Sequence, residues 1–190
     1  MSLIDDAIIF AAQAHGAIEH RRKKSNLPYI AHPIEVMAIV STVSGHTEEM
    51  LAAAVLHDVV EDTPVEADEI RAIFGDEIAA LVGWLTDVSI PTDGNRSVRR
   101  AIDREHSAQA PAEAQTIKLA DMISNTKNIV EQDPGFARIY LPEMLHLLEV
   151  LVRGDRQLWW RALEACRNGF QTLGLEAPSR YFERHTMPES

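Results

Sequence analysis

The chain has 190 residues, the length of one ordinary domain, and a net charge of −11 from 18 Lys and Arg against 29 Asp and Glu. That charge repels nucleic acid and anionic membranes, and no apolar run approaches the ~18 residues needed to cross a bilayer. The single Cys166 excludes an internal disulfide, and the acidic start MSLIDDAIIFAAQ lacks the basic opening of a secretory signal, so a cytoplasmic protein is expected. Ile4, Ile8, Ala11 and His15 fall on one face of a first helix. Pro33 suits the first turn of a second, with Ile34, Met37, Ala38 and Val43 on one side. Thr47 reads as the N-cap of a helix over 48–60, and Thr63-Pro64 breaks it. A short helix over 66–74 ends at Gly75, and a longer one over 76–87 carries Ile78, Leu81, Val82 and Leu85. Residues 89–95 form a turn-rich loop, the strongest candidate for mobility. Helices over 96–109, 113–131, 135–152 and 155–173 complete the chain, with Asp133-Pro134-Gly135 as a break and Gly174 as a stop. With no persuasive strand, the expected fold is all-α: a single-domain helical bundle of about eight to ten helices over 1–175, followed by a surface tail over 176–190.

His57-Asp58 carries the most chemistry. It ends the apolar run Leu51-Ala-Ala-Ala-Val-Leu56 and is followed by Glu61-Asp62. Neighbouring helical residues diverge by about 100°, so both reach one ion only beside the helix near its end. Imidazole plus carboxylate suits Mn²⁺, Fe²⁺, Co²⁺ or Zn²⁺, and such an ion needs further donors. His32, just before Pro33, and Asp121, a charge inside the apolar Ile117-Lys-Leu-Ala-Asp121, are the candidates. Glu61 and Asp62 lie one turn beyond the pair, a spacing that brings a carboxylate over the same face. Against the acidic background, His20, Arg21, Arg22, Lys23 and Lys24 form a basic run suited to a polyanion.

Singly these features are weak; jointly they are specific. Tyr29-Ile-Ala-His32-Pro33, Ala54-Val-Leu-His57-Asp58-Val-Val-Glu61-Asp62-Thr63, Phe74-Gly75 and Lys118-Leu-Ala-Asp121 resemble the HD phosphohydrolase superfamily. Within it they resemble the hydrolase domain of RelA/SpoT homologues, in particular the stand-alone small alarmone hydrolases, over residues 3–173. The resemblance implies one divalent ion, Mn²⁺, on His32, His57, Asp58 and Asp121, with Glu61 and Asp62 serving the attacking water. It implies removal of the 3′-pyrophosphate of guanosine tetra- or pentaphosphate, giving pyrophosphate with GDP or GTP. It further implies nucleotide contacts from Lys23, Lys24 and Ser25 of the basic loop, from Asn125 and from Tyr140. Lys23 falls where relatives carry a base-stacking arginine, a role Arg22 takes if the loop shifts register, and Asn128 stands where a threonine is usual. Guanine preference therefore stays open: (p)ppApp, NADPH, another nucleotide phosphate ester, and a non-catalytic alarmone sensor remain as alternatives, as does a homo-oligomer.

Overall fold

Helix starts follow the capping residues. In the computed structural model, which describes residues 2–22, 26–178 and 181, Thr47, Asn95, Asp133 and Asp155 each accept a hydrogen bond from a backbone N–H three residues on. Among these residues the order is α1 (Leu3–Ala17), α2 (Ala31–Val40), α3 (Glu48–Leu56), α4 (Val59–Asp62), α5 (Ala67–Phe74), α6 (Asp76–Leu85), a 3₁₀ turn (Pro91–Asp93), α7 (Arg96–Gln109), α8 (Ala112–Gln132), α9 (Pro134–Leu148) and α10 (Arg156–Thr172). One isolated antiparallel bridge, Arg21 to Pro28, is the only extended pairing among them. No helix is long and apolar enough to cross a membrane. Gly75, at φ 89°, turns the chain between α5 and α6, a conformation closed to most side chains. Most of the expected tail over 176–190 lies outside the described residues; Tyr181 within it is buried.

The centre of the bundle is α3, in which Met50 to Leu56 are buried without interruption. Its Ala52, Ala53 and Ala54 let neighbours approach closely, and α3 packs on α1, α2, α6 and α8. Each large apolar side chain there contributes roughly 1.5–3 kcal/mol of burial. The long α8 is the second spine, packing on α10, α2, α9, α6 and α3.

Two expectations need correction. The helix over 48–60 is interrupted: α3 stops at Leu56, and Asp58 adopts φ −96°, ψ −3° before α4 begins. Second, α2 does not bury Ile34, Ala38 and Val43. Its inward face is His32, Pro33, Val36 and Val40, Ile34 and Ala38 are exposed, and Val43 lies past the helix end. Turning His32 inward sets that rotation. The loop over 89–95 is tied down at its base, because Asp103 accepts from the backbone N–H groups of Val88 and Ser89 and from the Ser89 hydroxyl.

Candidate metal centre and nucleotide cleft

His32 comes from α2, His57 and Asp58 from the junction of α3 and α4, and Asp121 from the middle of α8. Unwinding at Asp58 lets two consecutive residues face one point, which a continuous helix forbids. His32 Nε2 lies 3.0 Å from Asp121 Oδ1 and 3.7 Å from Asp58 Oδ2; His57 Nε2 lies 3.0 Å from Asp58 Oδ2 and 3.7 Å from Asp121 Oδ1. Four donor atoms thus form a near-symmetric ring. Donors about 2.1 Å from a common ion stand about 3.0 Å apart at right angles and about 3.4 Å apart at the tetrahedral angle, a range that these separations are compatible with.

The tautomers fit as well. His57 Nδ1 is 2.8 Å from the Ala54 carbonyl, which can only accept, so Nδ1 carries a proton and Nε2 is the nitrogen that faces the carboxylates, with a lone pair to give once a cation is bound. His57 Nε2 is buried and makes no hydrogen bond, although two carboxylates face it. His32 Nδ1 is likewise engaged, 3.0 Å from Ser124 Oγ, leaving its Nε2 toward the same carboxylates. Two imidazole nitrogens and two carboxylates converging on one point call for positive charge among them, from a bound cation or, without one, from an imidazole proton. His32, His57 and Asp58 can hold a metal ion on their separations alone.

Neighbouring groups hold the shell in place. The Tyr29 hydroxyl donates to Asp58 Oδ2 across 2.7 Å, and the Asn125 carboxamide donates to Asp121 Oδ1 across 2.6 Å. Burial opposes ionisation of Asp121 and Asp58, but the adjacent imidazoles outweigh it and hold both carboxyls below their usual range. Burial opposes a charge on His57 too, and the Asp58 charge overrides it, raising the imidazole well above its ordinary value. Lys118 is raised for the same reason: the charges of Asp121, Asp87 and Glu61 outweigh its burial.

Glu61 and Asp62 sit one turn past Asp58. A poorly solvated setting, then the nearby Asp87 charge, pushes the Glu61 carboxyl up to about 7, while the backbone N–H of Asp87 donates to Glu61 Oε2 across 3.2 Å. Asp62 is also raised, by burial and then by Asp58. Glu61 is thereby placed to exchange a proton near neutrality.

Beside the centre lies a cleft of about 500 Å³, large enough for a nucleotide, walled by Arg21, Arg22, Tyr29, Asp62, Asn125 and Asn128. Sequence reasoning singled out Arg22, Asn125 and Asn128 of these as nucleotide contacts and Asp62 as a catalytic residue. It placed His20 and Arg21 only within the basic run suited to a polyanion, and it missed Gln132 and Phe136, which also line the cleft. Lys23, Lys24 and Ser25 lie outside the described residues. The loop's flanks are fixed by Arg22 N–H on the Leu27 carbonyl, by Arg21 Nη1 on the Asn26 carbonyl at 3.0 Å, and by Asn26 at φ 56°. His20 stacks on Tyr29 with ring centroids 3.8 Å apart, and its Nδ1 meets that of the buried His15 at 3.2 Å. Tyr140 is buried beneath Phe136, with ring centroids 6.1 Å apart, and does not line the cleft. Lys118, Asp121, Asn125, Asn128 and Gln132 recur at intervals of three and four, a polar stripe along about 21 Å of α8. Cys166 is buried away from this stripe, its thiol pushed up to about 12 by burial.

Comparison with known proteins agrees with this geometry. A profile of the HD domain matches residues 7–139. Guanosine-3′,5′-bis(diphosphate) 3′-pyrophosphohydrolase MESH1 of Xenopus tropicalis is 32% identical over 158 residues, covering 82% of this chain and 86% of the relative. MESH1 of Homo sapiens is 31% identical over 173 residues, covering 90% and 94%. Among solved structures, a metazoan ortholog of SpoT that hydrolyses ppGpp superposes with a TM-score of 0.78 at 28% identity, over 88% of this chain and 96% of that one. The convergent His32, His57, Asp58 and Asp121 and the matching profile lead to one conclusion: the chain belongs to the HD-domain family.

Proposed function

We propose that this protein is a divalent-metal-dependent pyrophosphohydrolase that removes the 3′-pyrophosphate of a guanosine alarmone such as ppGpp. The observation that carries the reading is the ring of two imidazole lone pairs and two carboxylates, with Glu61 and Asp62 one turn away. The MESH1 relatives and the SpoT ortholog, which bear or are described by this activity, support the substrate. His32, His57, Asp58 and Asp121 would hold the ion, and Mn²⁺ is the choice the family resemblance favours among metals suited to mixed nitrogen and oxygen donors. Bound there, it supplies Lewis acidity that brings a water's pKa toward neutrality.

The chain's own residues do the rest. Glu61, poised near pH 7, accepts the proton of the attacking water, and Asp62 orients that water. The water oxygen bonds to the phosphorus attached to the ribose 3′-oxygen; that P–O bond breaks, pyrophosphate leaves, and the 3′-oxygen takes a proton. The tetraphosphate yields GDP and the pentaphosphate GTP. Arg21 and Arg22 supply charge-assisted contacts to the phosphates, and Asn125 and Asn128 line the ribose side of the cleft.

The test is turnover of ppGpp with Mn²⁺, and again with excess chelator, with products separated by anion exchange. Metal-dependent pyrophosphate and GDP are expected. Orthophosphate in place of pyrophosphate would overturn the bond assignment, and binding without turnover would turn the reading to an alarmone sensor. The adenosine alarmone and NADPH, run in parallel, fix the base preference.

A further inference from the structure

The two imidazoles of the centre are held by different devices. His57 Nδ1 is fixed by the Ala54 carbonyl, a backbone group that no side-chain substitution removes. His32 Nδ1 instead meets Ser124 Oγ at 3.0 Å, and Ser124 Oγ donates to Glu35 Oε2 across 2.9 Å. A hydroxyl has one proton. Given to Glu35, it leaves the serine oxygen as an acceptor, which obliges His32 Nδ1 to be the protonated nitrogen and turns the Nε2 lone pair toward Asp58 and Asp121. Ser124 is buried, and Asn128 steadies the arrangement by donating to the Ser124 carbonyl at 2.7 Å and to Glu35 Oε2 at 3.4 Å.

We infer that Ser124 and Glu35 are positioning residues for the metal centre, forming a Glu35–Ser124–His32 relay that sets the tautomer and rotation of His32. Both lie one turn past a ligand, His32 to Glu35 on α2 and Asp121 to Ser124 on α8, so the relay also cross-links the two helices where they supply donors. The carboxylate at its far end makes the imidazole a stronger donor, as outer carboxylates do for metal-bound histidine generally. The inference rests on reading the four-residue ring as a metal centre and on nothing about the substrate. Metal affinity is tuned here through His32, since His57 has no alterable partner on Nδ1.

The experiment measures the affinity of the chain for Mn²⁺ alone, from the paramagnetic resonance signal of the free ion, with thermal midpoints in chelator as the folding control. Ser124→Ala should raise the Kd by roughly 10- to 100-fold. Glu35→Ala should weaken binding about tenfold, because the serine proton is then free to compete for His32 Nδ1. Glu35→Gln keeps an oxygen that accepts this proton and should bind close to wild type. Unchanged affinity in Ser124→Ala, with an unchanged midpoint, would overturn the relay. If that variant fails to fold, equal affinities of Glu35→Ala and Glu35→Gln overturn it. Wild-type chain that binds no Mn²⁺ overturns the metal centre and the relay together. Affinities that follow the relay in a chain inert toward ppGpp support the relay while removing the proposed substrate.

Discussion

The Asn125 carboxamide donates to Asp121 Oδ1, the same oxygen that lies 3.0 Å from His32 Nε2. One carboxylate oxygen therefore joins the cleft to the metal centre. Asp121→Asn removes the charge that balances the ion while keeping the shape, so metal affinity should fall by a factor of at least about 100 and turnover should vanish, with helicity intact. Metal content measured after gel filtration checks this; wild-type content and rate would remove Asp121 from the centre. Asn125→Ala, which frees the same oxygen, should cost less, roughly tenfold in metal affinity.

Glu61→Ala combined with Asp62→Ala should retain the ion and lose chemistry, with kcat down by roughly 10²- to 10⁴-fold. Metal stoichiometry and steady-state rates on the same preparation separate the two effects. Full activity would rule out a water-activating role for the pair.

The raised Glu61 carboxyl has a pH consequence with a definite sign. A base must be deprotonated, so the rate should decline as pH falls through about 7. Stability moves the other way. Because Glu61 titrates higher in the folded chain than in the unfolded one, its charge destabilises the fold above pH 7 and has no effect below its ordinary range. Glu61→Gln should therefore raise the thermal midpoint of the metal-free protein at pH 8 and leave it unchanged at pH 4. An equal gain at both values would contradict the assignment.

Arg21→Ala and Arg22→Ala should each raise KM for a polyphosphorylated nucleotide by about tenfold or more with little change in kcat, and wild-type KM should climb with salt as screening weakens the attraction. Because Arg21 Nη1 also braces the loop through the Asn26 carbonyl, its loss should be the costlier of the two. A KM indifferent to both substitutions would move the phosphates elsewhere.

That His32, His57, Asp58 and Asp121 are candidates to share one ion was legible because each sits in a short motif where a charge or imidazole interrupts an apolar pattern, as Asp121 does after Ile117 and Leu119. The bundle was legible because caps such as Thr47 and Asn95 have a local mechanism. The break at Asp58 was hidden, since Val59 and Val60 continue the apolar run and only the backbone angle reveals the interruption. Periodicity also misjudged α2, where the demand that His32 point inward overrode the apolar pattern of Ile34 and Ala38. Of the basic loop, Arg21 and Arg22 line the cleft, while Lys23 lies outside the described residues; the flanks are shaped by a left-handed Asn26 and by contacts between side chain and backbone, neither of which leaves a periodic trace. Ser124 and Glu35 gave no signal, being ordinary polar residues until two helices cross.

Because a carbonyl of the buried α3 fixes His57, that donor is pre-set only in the folded chain, and a cation bound there would favour the fold. A cation held by the folded chain and not by the unfolded one makes ion release and unfolding linked equilibria. Saturation at a hundred times Kd would stabilise the native state by about 2.7 kcal/mol, a margin lost when the ion is removed. Depletion would then lower the amount of enzyme as well as its rate, because chains that open more often are degraded sooner.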